Sequence, residues 1–194
     1  VSRDVVRAQF EESLRVKRAF LDQYAEATAR AGELVVSTLR AGGKVLLFGN
    51  GGSAADAQHV AAELVGRFAR QRDGLPAIAL TTDTSALTAI ANDFGYDEVF
   101  ARQVRALGRA GDVAIAISTS GRSPSVLRAV EACKVLDIPT IGLTGGNGGL
   151  LADAVDVALT VTESTHSARI QEVHITIGHV LCELVDLELS GSRP

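Results

Sequence analysis

Two hydrophobic rhythms divide the chain. From about Asp4 to Leu39, apolar positions (Val5, Phe10, Leu14, Phe20, Leu21, Tyr24 and Leu34) recur at helical spacing among charged residues. That stretch is long for one globular helix, so its pattern predicts two helices with a break in the twenties. From Lys44 the pattern changes to short, continuous apolar runs: Val45–Phe48, Ala77–Leu80, Val113–Ile117, Thr140–Leu143 and Val155–Leu159. Each is followed by Gly, Ser, Thr or a polar turn, and most then by a segment of helical periodicity. Strands that are apolar throughout, rather than alternately, imply a parallel sheet covered on both faces. A last long helix is expected from about His166 to Leu189. The reading is therefore α/β: one domain over residues 1–194, with residues 1–41 as a helical N-terminal extension.

The first place where chemistry interrupts the pattern is Gly49-Asn50-Gly51-Gly52-Ser53, between the run Val45–Phe48 and an Ala-rich helical segment. A glycine-rich turn from a strand into a helix N-terminus presents free backbone N–H groups and the positive end of a helix dipole, which suits a phosphate. Further along the same helix His59 and Glu63 are four apart and share a face. An anion cradle beside a pair able to transfer protons or hold a metal is the layout of an enzyme.

A second loop, Ser118-Thr119-Ser120-Gly121-Arg122-Ser123, follows the run Val113–Ile117. Hydroxyls and amides at the C-terminal end of a parallel strand stand where open α/β sheets bind ligands. Ser123 is also placed to cap the helix that Pro124 opens. Thr144-Gly145-Gly146-Asn147-Gly148-Gly149 is a third glycine-rich turn, read as structural because it lacks hydroxyls beyond Thr144. In the last helix, Gln171 and His179 are eight apart and lie on one stripe, yet their rise of about 12 Å strains any single site using both. His174 points away from His179 and is read as a packing residue. Glu172 is read as a solvated or interface carboxylate.

Composition narrows the class. With 194 residues, 46% apolar but only 4% aromatic, Ala, Val, Leu and Ile must fill the core. A formal charge of −4 and a pI near 5.6 argue against a nucleic-acid partner. Cys133 and Cys182 are too few for a disulfide framework and suit a reducing compartment. No apolar run approaches ~20 residues and no signal-peptide pattern opens the chain, so no membrane span and a cytoplasmic location are expected.

Four segments together, FGNGGSAADAQHVAAELVGRF, AIANDFGYDEVF, GDVAIAISTSGRS and RIQEVHITIGHVLCELVD, resemble the sedoheptulose 7-phosphate isomerase (phosphoheptose isomerase) family of the sugar isomerase, or SIS, superfamily. The resemblance runs in order through nearly the whole chain and is weakest over the first forty residues. It implies a flavodoxin-like, doubly wound, five-stranded parallel sheet, a homotetramer with active sites at subunit interfaces, and one divalent metal, commonly zinc, per site. Carried over by motif, His59, Glu63, Gln171 and His179 would hold the metal. Glu63 and His179 would be the catalytic acid and base, their order left open. Asn50, Gly51, Gly52, Ser53, Ser118, Thr119, Ser120 and Ser123 would hold the sugar phosphate. Glu63 and Gln171 would also meet substrate, as would Asn92 and Asp93 through sugar hydroxyls. Arg67 would reach a site across an interface. Ala168 departs from those relatives that carry Asp just before the RIQE motif, so a proton relay through that Asp cannot operate here.

The implied reaction converts sedoheptulose 7-phosphate to D-glycero-D-manno-heptose 7-phosphate, for heptose biosynthesis. An enediol route needs a base near carbon and an acid near oxygen, and imidazole, carboxylate and amide oxygen form a plausible mixed set for an exchangeable zinc. Two alternatives lie in another class. A binding module of the replication-initiator-associating type shares the glycine turn and the RIQE segment, and a sugar-phosphate sensor needs only the phosphate loops. The presence of both Glu63 and His179 favours the enzyme.

Overall fold

The structure is a computed structural model, and it describes residues 2–190. Helix α1, Arg3–Arg40, comes first; strand β1, Val45–Gly49, leads into α2, Gly52–Val65. Then follow β2 (Ala77–Ala79), α3 (Thr84–Phe94), a 3₁₀ turn at Tyr96–Glu98 and α4 (Val99–Leu107). The chain continues through β3 (Val113–Ser118), α5 (Pro124–Val135), β4 (Thr140–Gly145), α6 (Leu151–Ala154), β5 (Val157–Val161) and α7 (Ser167–Leu189). All strand pairs are parallel, in the order β2-β1-β3-β4-β5. This is the doubly wound, flavodoxin-like order expected.

The continuous apolar runs have the cause inferred for them. In β1, Val45 and Leu47 face one core, formed with α1, α2 and α7, while Leu46 and Phe48 face the other, formed with α4, α5 and α6. Phe48 stacks on Phe100 of α4 at 5.8 Å between ring centroids. Strand β5 begins two residues later than the apolar run suggested. The preceding Asp156 is exposed but anchored, its carboxylate accepting from the Thr140 amide at 2.7 Å and the Thr140 hydroxyl at 2.8 Å.

The N-terminal region corrects the expected break: α1 is one uninterrupted helix of 38 residues. Residues 21–30 contain neither Gly nor Pro and carry three alanines, so nothing local favours a stop. Its C-terminal half is core rather than appendage, with Ala31, Val35, Val36 and Leu39 buried. Its N-terminal half exposes Val5, Val6, Phe10 and Leu14. The helix is tied over α7 by Arg169, which donates to the Gln9 carbonyl at 2.6 Å, and by Arg40 with Glu188 at 3.0 Å.

Candidate active site

Strand order places the site. The chain leaves β1 toward β2 on one side and returns to β3 on the other, so β1 and β3 flank a topological switch point, where open sheets bind ligands. Gly49 at the end of β1 pairs with Ile117 of β3, bringing the loops 49–53 and 118–123 side by side at the N-termini of α2 and α5. Asn50 joins them. Its amide nitrogen donates to Ser123 Oγ at 2.8 Å and Ser125 Oγ at 3.0 Å, and its Oδ1 accepts from the Tyr96 hydroxyl at 2.9 Å. Ser123 precedes α5 as expected, but its hydroxyl is drawn to Asn50 and makes no capping bond. Ser53 and Ser118 are buried, Thr119 is half-buried and Ser120 is exposed.

The third glycine-rich turn buttresses the second loop. The Leu150 and Leu151 amides donate to the Gly121 carbonyl at 2.9 and 3.0 Å, and Thr144 Oγ1 donates to the Gly148 carbonyl at 3.2 Å. No side chain of this turn is needed for ligand contact to explain its composition.

Helices α2 and α7 run side by side in the same direction, and their closeness is set by small residues. A Cβ at Gly178 would lie 2.5 Å from Val60 Cγ2. One residue further, His179 meets His59, Nε2 to Nε2, at 3.0 Å. His59 Nε2 lies 3.3 Å from Glu63 Oε1, and Phe68 stacks on His179 at 5.7 Å. One ligand atom from each of His59, Glu63 and His179 falls within 4.8 Å of the others. Ligands bound to a tetrahedral zinc at about 2.0–2.1 Å stand about 3.3 Å apart. Two imidazoles and a carboxylate at these separations therefore fit zinc, in the three-ligand pattern that leaves a position open for chemistry.

Gln171, the remaining residue of the implied ligand set, lies against the glycine turn. Its amide packs on Gly52, where any Cβ would collide with it. Side chains on a helix lean toward its N-terminus, so Gln171 leans away from His179 and toward the glycine turn. His59, Glu63 and His179 converge on the seam, and the Gln171 amide lies against the phosphate-suited turn. Asn92 and Asp93 lie exposed on α3 and hydrogen-bond to each other at 2.7 Å. Arg67 is exposed just beyond α2.

Around this seam the other titratable groups are held out of play. His174 is buried, and its Nε2 donates to the Thr144 carbonyl at 3.1 Å. A carbonyl only accepts, so the proton sits on Nε2 and Nδ1 is the bare nitrogen, without a hydrogen-bond partner. Burial, only partly offset by the Thr144 bond, drives its pKa down to about 4. Burial, with the charges of Glu63 and Asp186 adding to it, pushes the Cys182 thiol up to about 12, which keeps it protonated. Burial likewise raises the Asp56 carboxyl, opposed by His59, and its Oδ2 has no hydrogen-bond partner. Glu172 is not simply solvated: Oε1 pairs with Arg169 at 2.7 Å, while Oε2 is buried without a partner.

Tyr96 and Ser125, which complete the Asn50 network, and Phe68, which stacks on His179, were not singled out from sequence. Tyr96 lies inside the quoted segment AIANDFGYDEVF, three residues past the Asn-Asp pair. Ser125 is hidden by the stronger Ser/Thr cluster before it.

Comparison with known proteins agrees with this fold. Residues 9–145 match the SIS domain family, which sets the class. A phosphoheptose isomerase of Roseiflexus sp. is 59% identical over 93% of this chain and 91% of its own length. The solved phosphoheptose isomerase of Neisseria gonorrhoeae has a TM-score of 0.90 at 50% identity, covering 95% of this chain and 98% of that one. The solved enzyme of Francisella tularensis gives 0.92 at 42% identity, covering 96% and 99%. The chain belongs to the phosphoheptose isomerase family.

Proposed function

We propose that this enzyme converts sedoheptulose 7-phosphate to D-glycero-D-manno-heptose 7-phosphate, feeding heptose biosynthesis. The observation that carries the reading is the convergence of His59, Glu63 and His179 on the α2–α7 seam, which a sensor or binding module of the same fold has no use for. The phosphate is assigned to the N-termini of α2 and α5, with Asn50, Gly51, Gly52, Ser53, Ser118, Thr119, Ser120 and Ser123 around it. Gln171, packed on Gly52, is assigned to the substrate at that end. Asn92 and Asp93 are assigned to sugar hydroxyls, and Arg67 to a site across an interface.

In this reading Glu63 and His179 divide the proton transfers. A proton leaves C1 of the ketose and the C2 carbonyl oxygen gains one, giving an enediol. The O1 proton is then removed as C2 is protonated, giving the aldose, with no net gain or loss. A zinc ion held by His59, Glu63 and His179 would supply Lewis-acid polarisation of the substrate oxygens. Because a proton rather than a hydride moves, solvent deuterium should appear at C2 of the product. Product that carries no label would favour a hydride shift.

The deciding experiment is turnover of sedoheptulose 7-phosphate, before and after chelation and after zinc is restored. Activity that falls with chelation and returns with zinc supports the reading. An inactive zinc-loaded protein that still binds the sugar phosphate would favour a sensor, and one that ignores it would favour the replication-initiator-associating type. No helix among the described residues is long and apolar enough to cross a membrane, and a cytoplasmic location is proposed. A homotetramer is proposed from the apolar positions that α1 leaves exposed.

A further inference from the structure

Helix α2 ends at Val65 with no basic residue in its last turn, although the free carbonyls there form the negative end of the helix. The cation comes from outside. Arg72, its side chain only 3% exposed, donates through Nη2 to the Glu63 carbonyl at 2.9 Å and through Nη1 to the Leu64 carbonyl at 2.9 Å. Its Nε donates at 2.6 Å to Oδ1 of Asp186, which is fully buried on α7. The other carboxylate oxygen of Asp186 accepts from the Ala69 and Arg70 amides at 2.9 and 2.8 Å. Burial opposes ionisation of Asp186, but these three donors outweigh it and hold its pKa below the usual carboxylate range.

The connectivity is specific. Asp186 lies seven residues after His179, two turns along the same face of α7. Arg72 grips the backbone of Glu63 itself. One guanidinium thus links the residue bearing the carboxylate to the helix bearing the imidazole. We propose that the buried Arg72–Asp186 pair is the positioning device of the site, locking the C-terminal end of α2 onto α7 and so fixing Glu63 relative to His179. The inference rests on the isomerase reading for its kinetic test but not for its metal-binding test.

A fork is required for this role, because four acceptors, Asp186 Oδ1 and the Glu63, Leu64 and Asp73 carbonyls, are held at once. Arg72→Lys keeps the charge and loses the fork. At a temperature where circular dichroism shows it folded, it should lower kcat ~10–100-fold, since a small misplacement of reacting groups costs that much, with KM changed less than about threefold. Zinc affinity of the metal-free protein, measured against a chelating competitor, should weaken ~10-fold or more. The double variant Arg72→Met/Asp186→Leu separates positioning from a purely structural role. Replacing a buried pair by apolar residues often restores stability, so Tm should recover while kcat and zinc affinity stay low. Recovery of kcat and zinc affinity together with Tm, or near-native kcat and zinc affinity in a folded Arg72→Lys protein, overturns the proposal. If the double variant does not fold, Arg72→Lys alone decides. If the wild-type chain fails to turn over the sugar phosphate, the isomerase reading falls and zinc affinity decides the pair. A wild-type chain that neither turns over nor binds zinc sinks both.

Discussion

Glu63 and His179 divide one task between two helices, and their substitution tests each half separately. Glu63→Gln keeps the shape and removes the charge, and His179→Ala removes the imidazole. A general acid or base contributes ~10²–10⁴-fold, so turnover should fall by that order in each, with unfolding midpoints near the wild type. Retained turnover in either would remove that residue from the mechanism. His174, one turn before Gly178 on the same helix, makes the opposite point, because it is buried and neutral. Its folded pKa, about 4, lies below the ordinary value of 6.5, so between these values the unfolded chain binds the extra proton. His174 therefore contributes stability that is intact above pH 6.5 and fades as pH falls toward 4, by about 3 kcal/mol in all. Denaturant unfolding at several pH values should show this slope, and His174→Gln should flatten it. An unchanged slope in the variant would assign the acid sensitivity elsewhere.

At the scale of elements, the α2–α7 seam governs the site, and Gly178 governs the seam. Gly178→Ala puts a methyl group 2.5 Å from Val60 Cγ2. Overpacking of this kind costs about 1–3 kcal/mol and should separate His179 from His59, lowering turnover as well as stability. Val60→Ala added to it should restore both, measured by denaturant unfolding and by kcat. No restoration would mean that another contact sets the helix spacing. The elements themselves were largely legible. Five continuous apolar runs gave five strands; β1, β3 and β4 are buried along their whole length, whereas edge strand β2 leaves Ile78 exposed. The break expected in α1 fails for a physical reason: length alone was the argument for it, and the sequence there has no stop signal. The shift of β5 arises because Asp156 anchors to Thr140, a contact between distant residues that periodicity cannot reveal.

The whole molecule leaves apolar residues uncovered on α1, with Phe10 70% and Leu14 67% exposed. Such positions on one long helix are normally buried against another surface, here assigned to other copies in the proposed tetramer. Phe10→Asp/Leu14→Asp should lower the mass in solution below that of a tetramer while the far-ultraviolet spectrum stays native. An unchanged mass would move the interface elsewhere. Removing the first forty residues is a harsher change, because it strips Ala31, Val35, Val36 and Leu39 from the core. That deletion should give insoluble or unfolded protein, and a folded, soluble product would show that α1 is dispensable.

The sequence by itself determined the layers of the sheet, the two loops suited to phosphate and the residue types of the site. Hydrophobic period, glycine turns and i, i+4 spacing are local properties, written in neighbouring positions. What only the tertiary structure decided was company. His59 and His179 are 120 residues apart in the chain and meet because Gly178 lets α7 close on α2. Gln171 meets the glycine turn because the fold lays the start of α7 against Gly52, where no side chain stands between them. Arg72 and Asp186 carried no motif at all. Their importance comes from which carbonyls and amides the fold places around a buried charge, and no spacing along the chain encodes that.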